Sequence, residues 1–142
     1  MISELNKITQ TIIASAVAVH RELGAGLLES AYEACLAYEL IQHGLIVERQ
    51  KALPINYRGI TVDCGYRIDL LVENKVIVEL KAAERIEPIH EAQLLSYLKL
   101  SGCQVGLLIN YKLQCQNTQT RYKTISKQFT GIVLPRALRS LR

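Results

Sequence analysis

The most informative stretch of this chain is YRIDLLVENKVIVELKA, residues 66–82. Two apolar runs flank the turn-like tripeptide Glu73-Asn74-Lys75, and this arrangement predicts a β-hairpin. Asp69 lies near the middle of the first strand, and Glu79 and Lys81 lie at the end of the second. Since strand side chains alternate between faces, the hairpin predicts two carboxylates and one ammonium on a single face. The side chains expected on the face opposite these charged groups are Ile68 and Leu70 in the first strand and Val76, Val78 and Leu80 in the second.

Carboxylates in such a place cost folding free energy unless they are paired or bound to a metal. Mg²⁺ prefers oxygen ligands, so we expect Mg²⁺ or Mn²⁺ on Asp69, Glu79 and the backbone carbonyl of Leu80. A divalent ion there would lower the pKa of a water molecule and neutralise charge on a phosphate. Lys81 would hold the attacking water or the developing negative charge. The pattern therefore predicts metal-assisted phosphodiester cleavage, with a surface salt bridge between Glu79 and Lys81 as the simpler alternative.

Three helices are predicted from apolar residues that recur at steps of three and four. The first covers about 4–23 and is capped by Ser3, and the second covers about 27–43 and ends at Gly44. The third runs from Pro88 to about residue 100 and ends at Gly102. The predicted apolar side of the second helix carries Leu28, Ala31, Cys35, Tyr38 and Ile41 or Gln42.

Strands are predicted between the second and third helices and again after the third. Pro54 interrupts the first of them, and Arg58-Gly59 forms a turn before the second. The predicted strand ranges are 46–57, 60–72, 75–81 and 103–111. Residues 112–121 are predicted to form a loop, and the segment after them a last strand or a short helix.

Two further elements carry candidate site residues. His90, Gln93 and Tyr97 share one face of the third helix, where Gln93 and Tyr97 would contact the phosphate backbone or the nucleophile. An ordinary polar stripe is the alternative interpretation of that face. Glu29 lies in the first turn of the second helix, either as a third acidic group at the metal site or as a favourable charge for the helix dipole.

The charge of the chain is unevenly distributed. The net charge is +4, but residues 1–91 carry −4 and residues 92–142 carry +8 with no acidic residue at all. A segment of this kind attracts a polyanion such as nucleic acid, although a solvated basic face is the plainer explanation. With 49% hydrophobic and 21% charged residues, we expect one globular domain over 1–142, in which 112–142 form a basic C-terminal extension.

Composition also argues against several classes of protein. No apolar run approaches the roughly 20 residues that span a bilayer, and the first ten residues lack the pattern of a secretion signal. The four cysteines are widely spaced without a CxxC pair, which argues against zinc and favours free thiols in a cytoplasm. We therefore expect a cytoplasmic protein with no membrane partner.

Taken together, three stretches resemble the GxxExxY proteins of the PD-(D/E)XK nuclease superfamily. They are residues 19–33, with the signature Gly26, Glu29 and Tyr32, followed by residues 65–82 and 89–111. The resemblance implies an α/β (α+β) restriction-endonuclease-like core, in which a central mixed sheet is flanked by helices. It also implies roles for individual residues: Asp69, Glu79 and Lys81 at the catalytic positions, Glu29 as the acid of the helix, and Gln93 with Tyr97 as the QxxxY helix.

These observations lead to the hypothesis of a metal-dependent nuclease that acts on DNA. A nucleic-acid-binding module of the same fold without catalytic turnover is the main alternative. A structural protein whose acids only pair with Lys81 and Arg67 is a third. Cleavage of both strands of a duplex would favour a homodimer, and the sequence leaves single-stranded, duplex, branched DNA and RNA open as substrates.

Overall fold

A five-stranded sheet with helices on both faces organises the protein, whose structure is a computed structural model that describes residues 3–111 and 121–126. The helices are α1 (Glu4–Leu23), α2 (Glu29–Gln42) and α3 (Pro88–Ser101). The strands are β1 (Val47–Ala52), β2 (Ile55–Tyr57), β3 (Ile60–Val62), β4 (Arg67–Val72), β5 (Val76–Lys81), β6 (Val105–Asn110) and β7 (Arg121–Ser126).

The order of strands in the main sheet is β1-β4-β5-β6-β7, and β2 pairs with β3 in a separate two-stranded sheet. Strands β5 and β6 are parallel, while the other neighbours in the main sheet are antiparallel. A parallel pair needs a crossover connection, and α3 is that connection. The predicted α/β fold with a central mixed sheet flanked by helices is confirmed.

The core is divided by the sheet into two clusters. One cluster joins α1 and α2 to the side chains of β4, β5 and β6 that include Leu70, Val78 and Leu80. The other joins α3, through Leu94 and Leu98, to the opposite face of the same strands. Because both faces are covered, the central strands are apolar almost throughout, and a charged side chain there stands out.

Several local predictions are confirmed in detail. The hydroxyl of Ser3 accepts a hydrogen bond from Asn6 N at 3.2 Å and caps α1. Gly102 ends α3 in the left-handed conformation, with φ of 81°. Glu73 and Asn74 both have positive φ and close the tight turn between β4 and β5.

The predicted strand over 60–72 is wrong, because the chain forms two strands there in two different sheets. β3 ends at Val62, and β4 begins at Arg67. Between them the Asp63 carboxylate accepts a hydrogen bond from Gly65 N at 2.9 Å, and Gly65 has φ of 77°. This side-chain turn replaces extended backbone, so β4 starts only shortly before Asp69.

The predicted apolar side of α2 is also wrong. Leu28, Tyr38 and Ile41 are 77%, 62% and 53% exposed. The buried side chains of α2 are Tyr32, Glu33, Leu36, Ala37 and Leu40. The Tyr32 ring stacks on Tyr111 with centroids 4.1 Å apart, and this tertiary contact fixes which face of the helix packs inward.

The alternation predicted for β4 fails at one position. Leu70 packs in the cluster beneath α1 and α2, as expected, but Ile68 packs in the cluster beneath α3. The two flank Asp69, where the register between β4 and β5 stops at Leu70. The strand is therefore irregular at Asp69, and its side chains no longer alternate strictly.

The C-terminal predictions are tested only over a short segment. Strand β7, at 121–126, resolves the open choice between strand and short helix in favour of a strand antiparallel to β6. Residues 112–120 and 127–142, with most of the predicted loop and basic extension, lie outside the described residues. Across the described ranges, none of the helices has the length and apolar character that a bilayer crossing requires.

Candidate active site

Asp69 and Glu79 meet where β4 and β5 separate. The backbone register of the two strands runs from Val72 opposite Val76 to Leu70 opposite Val78. Beyond that point, Asp69 N donates to Glu79 Oε1 at 3.1 Å, and Leu80 N donates to Asp69 Oδ2 at 2.9 Å. Each carboxyl group thus takes the place of a backbone acceptor across the hairpin, which holds the two side chains beside each other.

The electrostatics of this pair favour protonation. Burial, and then the negative charge of Asp69, raises the pKa of Glu79 from 4.5 to about 8. Burial also raises the pKa of the Asp69 carboxyl, and the charge of Glu33 acts in the same direction. Two carboxylates held this closely need a proton or a cation between them.

Lys81 is half-buried at the end of β5. Its positive charge lowers the pKa of both Asp69 and Glu79, although burial outweighs it in each case. Within residues 3–111, the close ion pairs are Arg49–Glu33, Lys51–Glu48, Lys75–Glu4 and Arg85–Glu87. In that part of the chain, neither Lys81 nor Arg67 forms a direct salt bridge that would neutralise the acidic pair.

The donor set fits a hard divalent ion. Asp69 and Glu79 provide carboxylate oxygens, and Leu80 provides a backbone carbonyl between Glu79 and Lys81. Mg²⁺ and Mn²⁺ accept such ligands, and Mg²⁺ usually keeps several waters. The described residues contain no group of three or more His, Cys, Asp and Glu side chains that is able to hold a metal.

Glu29 lies apart from that pair. Its Oε1 accepts a hydrogen bond from Ala82 N at 3.0 Å, just beyond the end of β5. Within the described residues, Glu29, Asp69 and Glu79 do not form one group of three acids, and the role of Glu29 at a metal stays a prediction. The first turn of α2 instead holds the backbone next to Lys81.

Tyr32 explains how Glu29 reaches that point. The Tyr32 hydroxyl donates to Gly24 O at 2.6 Å and accepts from Leu27 N at 3.2 Å. These two bonds hold the loop before α2, which begins at Glu29. The Gly26, Glu29 and Tyr32 signature thus links the start of α2 to the end of β5.

Two residues beside the site were missed by sequence reasoning. Glu33 is 6% exposed, and its Oε2 accepts from Arg49 Nη2 at 3.1 Å while its Oε1 accepts from Gln50 Nε2. Gln50 Nε2 also donates to Asp69 Oδ1 at 3.3 Å. Glu33 follows Glu29 by four residues on α2, a spacing that could have identified it. No local pattern distinguishes Gln50.

Two of the predicted residues of α3 bond each other. Gln93 Nε2 donates to the Tyr97 hydroxyl at 3.1 Å. Burial raises the pKa of Tyr97, and the charge of Glu79 adds to this effect, so Tyr97 lies near the acids. His90, predicted on the same face, instead accepts from Glu87 N at 3.0 Å and caps the helix.

The fold of this chain is similar to that of solved structures. The crystal structure of SSO0001 superimposes with a TM-score of 0.52 at 19% identity over 84% of this chain. This chain covers 65% of SSO0001, which is just under two thirds of its length. The alkaline exonuclease LHK-Exo from Laribacter hongkongensis gives a TM-score of 0.44 at 15% identity, over 83% of this chain and 79% of that one. Its complex with dAMP gives 0.47 at 15% identity, over 87% and 82%.

Sequence comparison identifies the family. No curated protein matches the chain. A family model described as PD-(D/E)XK nuclease superfamily matches residues 6–122, a range that contains the hairpin, the acidic pair and α3. Since the match covers most of the 142 residues, this chain belongs to the PD-(D/E)XK nuclease superfamily.

Proposed function

We propose that the protein hydrolyses phosphodiester bonds of nucleic acid, with DNA as the substrate and Mg²⁺ or Mn²⁺ as the cofactor. Membership of the PD-(D/E)XK nuclease superfamily supports nuclease activity on nucleic acid. The observation that carries the proposal is the acidic pair itself: Asp69 and Glu79 are hydrogen-bonded across one hairpin and have raised pKa values.

In this proposal the residues of the site have separate roles. Asp69, Glu79 and the Leu80 carbonyl hold the divalent ion, which supplies Lewis acidity toward water and phosphate when bound. Lys81 lies two residues beyond Glu79 on the same strand. It donates hydrogen bonds to the attacking water or to the developing negative charge. Gln93 and Tyr97 position the nucleic acid strand at the α3 side. Glu29 acts indirectly, through the backbone at Ala82.

The wider context of the proposal comes from charge and from the sequence signature. The +8 carried by residues 92–142 would bind phosphates of DNA. The signature Gly26, Glu29 and Tyr32 supports assignment to the GxxExxY branch. We further propose a single cytoplasmic domain over 1–142, and a homodimer if both strands of a duplex are cut.

The test is cleavage of plasmid and oligonucleotide DNA with Mg²⁺ or Mn²⁺, and with EDTA in place of the metal. Asp69→Asn keeps the size of the side chain but removes its charge. We expect it to slow cleavage by at least about a hundredfold, because changes in residues that merely support a metal ligand already cost roughly 10–100-fold.

Asp63→Asn is the matched control, since Asp63 is an exposed aspartate shortly before β4 whose carboxylate accepts from Gly65 N. It should cleave at the wild-type rate. Equal activity of wild type and Asp69→Asn under all metal conditions would refute catalysis at this pair. DNA binding that is salt-sensitive, needs no metal and leads to no cleavage would instead identify a binding module.

A further inference from the structure

Gln50 has an unusual backbone conformation in the middle of β1. Its φ is 50°, in the left-handed region that residues other than glycine rarely adopt. Its neighbours pair regularly with β4, Arg49 opposite Leu70 and Lys51 opposite Ile68. Gln50 therefore lies opposite Asp69, and the strand is irregular at that one step. Strain that is kept beside a candidate catalytic residue suggests a role for the residue that carries it.

The side chain of Gln50 connects two acids. Its Nε2 donates both to Glu33 Oε1 and to Asp69 Oδ1. A carboxylate only accepts hydrogen bonds, so two carboxylate neighbours require the amide nitrogen, and not the amide oxygen, to face them. The orientation of the Gln50 amide follows from its partners.

Glu33 is itself firmly held. Its second oxygen accepts from both Nε and Nη2 of Arg49, at 3.3 and 3.1 Å. The carboxylate is buried, whereas Gln50 lies at the surface, where a substrate could reach the chain of bonds. A continuous series of hydrogen bonds thus runs from Arg49 through Glu33 and Gln50 to Asp69.

Asp69 gains a fixed orientation from this series. Its Oδ2 accepts from Leu80 N and its Oδ1 from Gln50. With both oxygens held, the carboxyl plane has little freedom to rotate. Hydrogen bonds to a ligand carboxylate are the usual means by which proteins orient it toward a metal.

We propose that Gln50, held by Glu33 and Arg49, is a positioning residue that orients the Asp69 carboxylate for the divalent ion. This inference rests on the proposed nuclease function and assigns Gln50 no direct contact with the ion. The left-handed backbone at Gln50 contributes to this positioning, because it changes the direction of the side chain relative to that of a regular strand residue.

Gln50→Gly separates positioning from structure. Glycine adopts positive φ readily, so we expect the melting temperature of the metal-free protein to stay equal or to rise. The amide is lost, however, and we expect the affinity for Mn²⁺, measured by calorimetry, and kcat for DNA cleavage both to fall about 10–100-fold.

Lys51→Gly is the matched control, because Lys51 is the next residue of β1 and pairs regularly with Ile68. Glycine weakens a regular strand, so this variant should melt at a lower temperature and keep the wild-type affinity for Mn²⁺. Glu33→Gln replaces one of the two oxygens that accept from Arg49 and Gln50 with an NH2 group. Only one of these partners then keeps its acceptor, so the affinity of this variant for Mn²⁺ should fall between those of wild type and Gln50→Gly.

The outcomes separate this inference from the proposed function. If wild type cleaves DNA and binds Mn²⁺ while Gln50→Gly retains both properties unchanged, positioning by Gln50 is refuted and the nuclease proposal stands. If Gln50→Gly melts at a lower temperature like Lys51→Gly, with unaltered Mn²⁺ affinity, Gln50 is only a structural residue. If wild type neither binds Mn²⁺ nor cleaves, both proposals fail together.

Discussion

Replacing Glu79 with glutamine should stabilise the metal-free protein at high pH. Glu79 is 5% exposed and has a pKa of about 8 in the folded chain, against an ordinary value of 4.5. Glutamine has nearly the same shape, and its amide oxygen is able to accept from Asp69 N as Glu79 Oε1 does now. The substitution therefore removes a buried charge while it keeps the cross-strand hydrogen bond.

The sign of the effect follows from proton linkage. Between pH 4.5 and about 8 the folded chain keeps the Glu79 proton, whereas the unfolded chain has lost it. Stability then falls as pH rises through this window and levels off above pH 8. Each pKa unit corresponds to about 1.4 kcal/mol, so the upper limit of the loss is about 5 kcal/mol. We expect at least about 2 kcal/mol to be measurable, because water in the cleft reduces the cost of the charge.

The assay is urea unfolding of wild type and Glu79→Gln in EDTA at pH 5.0 and pH 8.5, both taken as approximate limits of the window. The two proteins should have similar free energies of unfolding at about pH 5, and the variant should be the more stable at about pH 8.5. Addition of Mn²⁺ should stabilise wild type at the higher pH and should have little effect on the variant. The reasoning is wrong if the variant is less stable than wild type at the higher pH, or if both lose stability equally between the two conditions.

Two further predictions concern the packing that supports the site. Tyr32→Phe removes the hydroxyl that bonds Gly24 O and Leu27 N, and should lower the free energy of unfolding by about 1–2 kcal/mol. Tyr38→Phe, at an exposed position of the same helix, should leave the free energy of unfolding unchanged. Equal stability of the two variants would contradict the assigned role of Tyr32. Gly106→Ala places a Cβ 2.7 Å from the buried Leu94 side chain, and should cost about 1–3 kcal/mol in urea unfolding. In a chain that already carries Leu94→Ala, Gly106→Ala should cost less stability than it does in the wild type. Strict additivity of the two changes would contradict the predicted clash.

Local signals were sufficient wherever a few neighbouring residues decide the conformation. Ser3 caps α1 through Asn6 N, and the turn at Glu73 and Asn74 closes the hairpin as predicted. The same signals failed where a side chain replaced backbone pairing. Asp63 interrupts the predicted strand over 60–72 by bonding Gly65 N, a competition between side chain and ladder that residue type alone does not decide.

The approach of Asp69 to Glu79 was predictable because a tight turn fixes the register of the two strands that it joins, and register determines which side chains face each other. The sequence alone therefore determined the acidic pair, the adjacent lysine and the hairpin that carries them. The link from Glu33 through Gln50 to Asp69 was decided only in three dimensions, since it joins residues 17 and 19 positions apart on different elements. It depends on how α2 packs over β1 and on a backbone angle at Gln50 that no neighbouring residue requires, and such contacts arise from the packing of the whole fold.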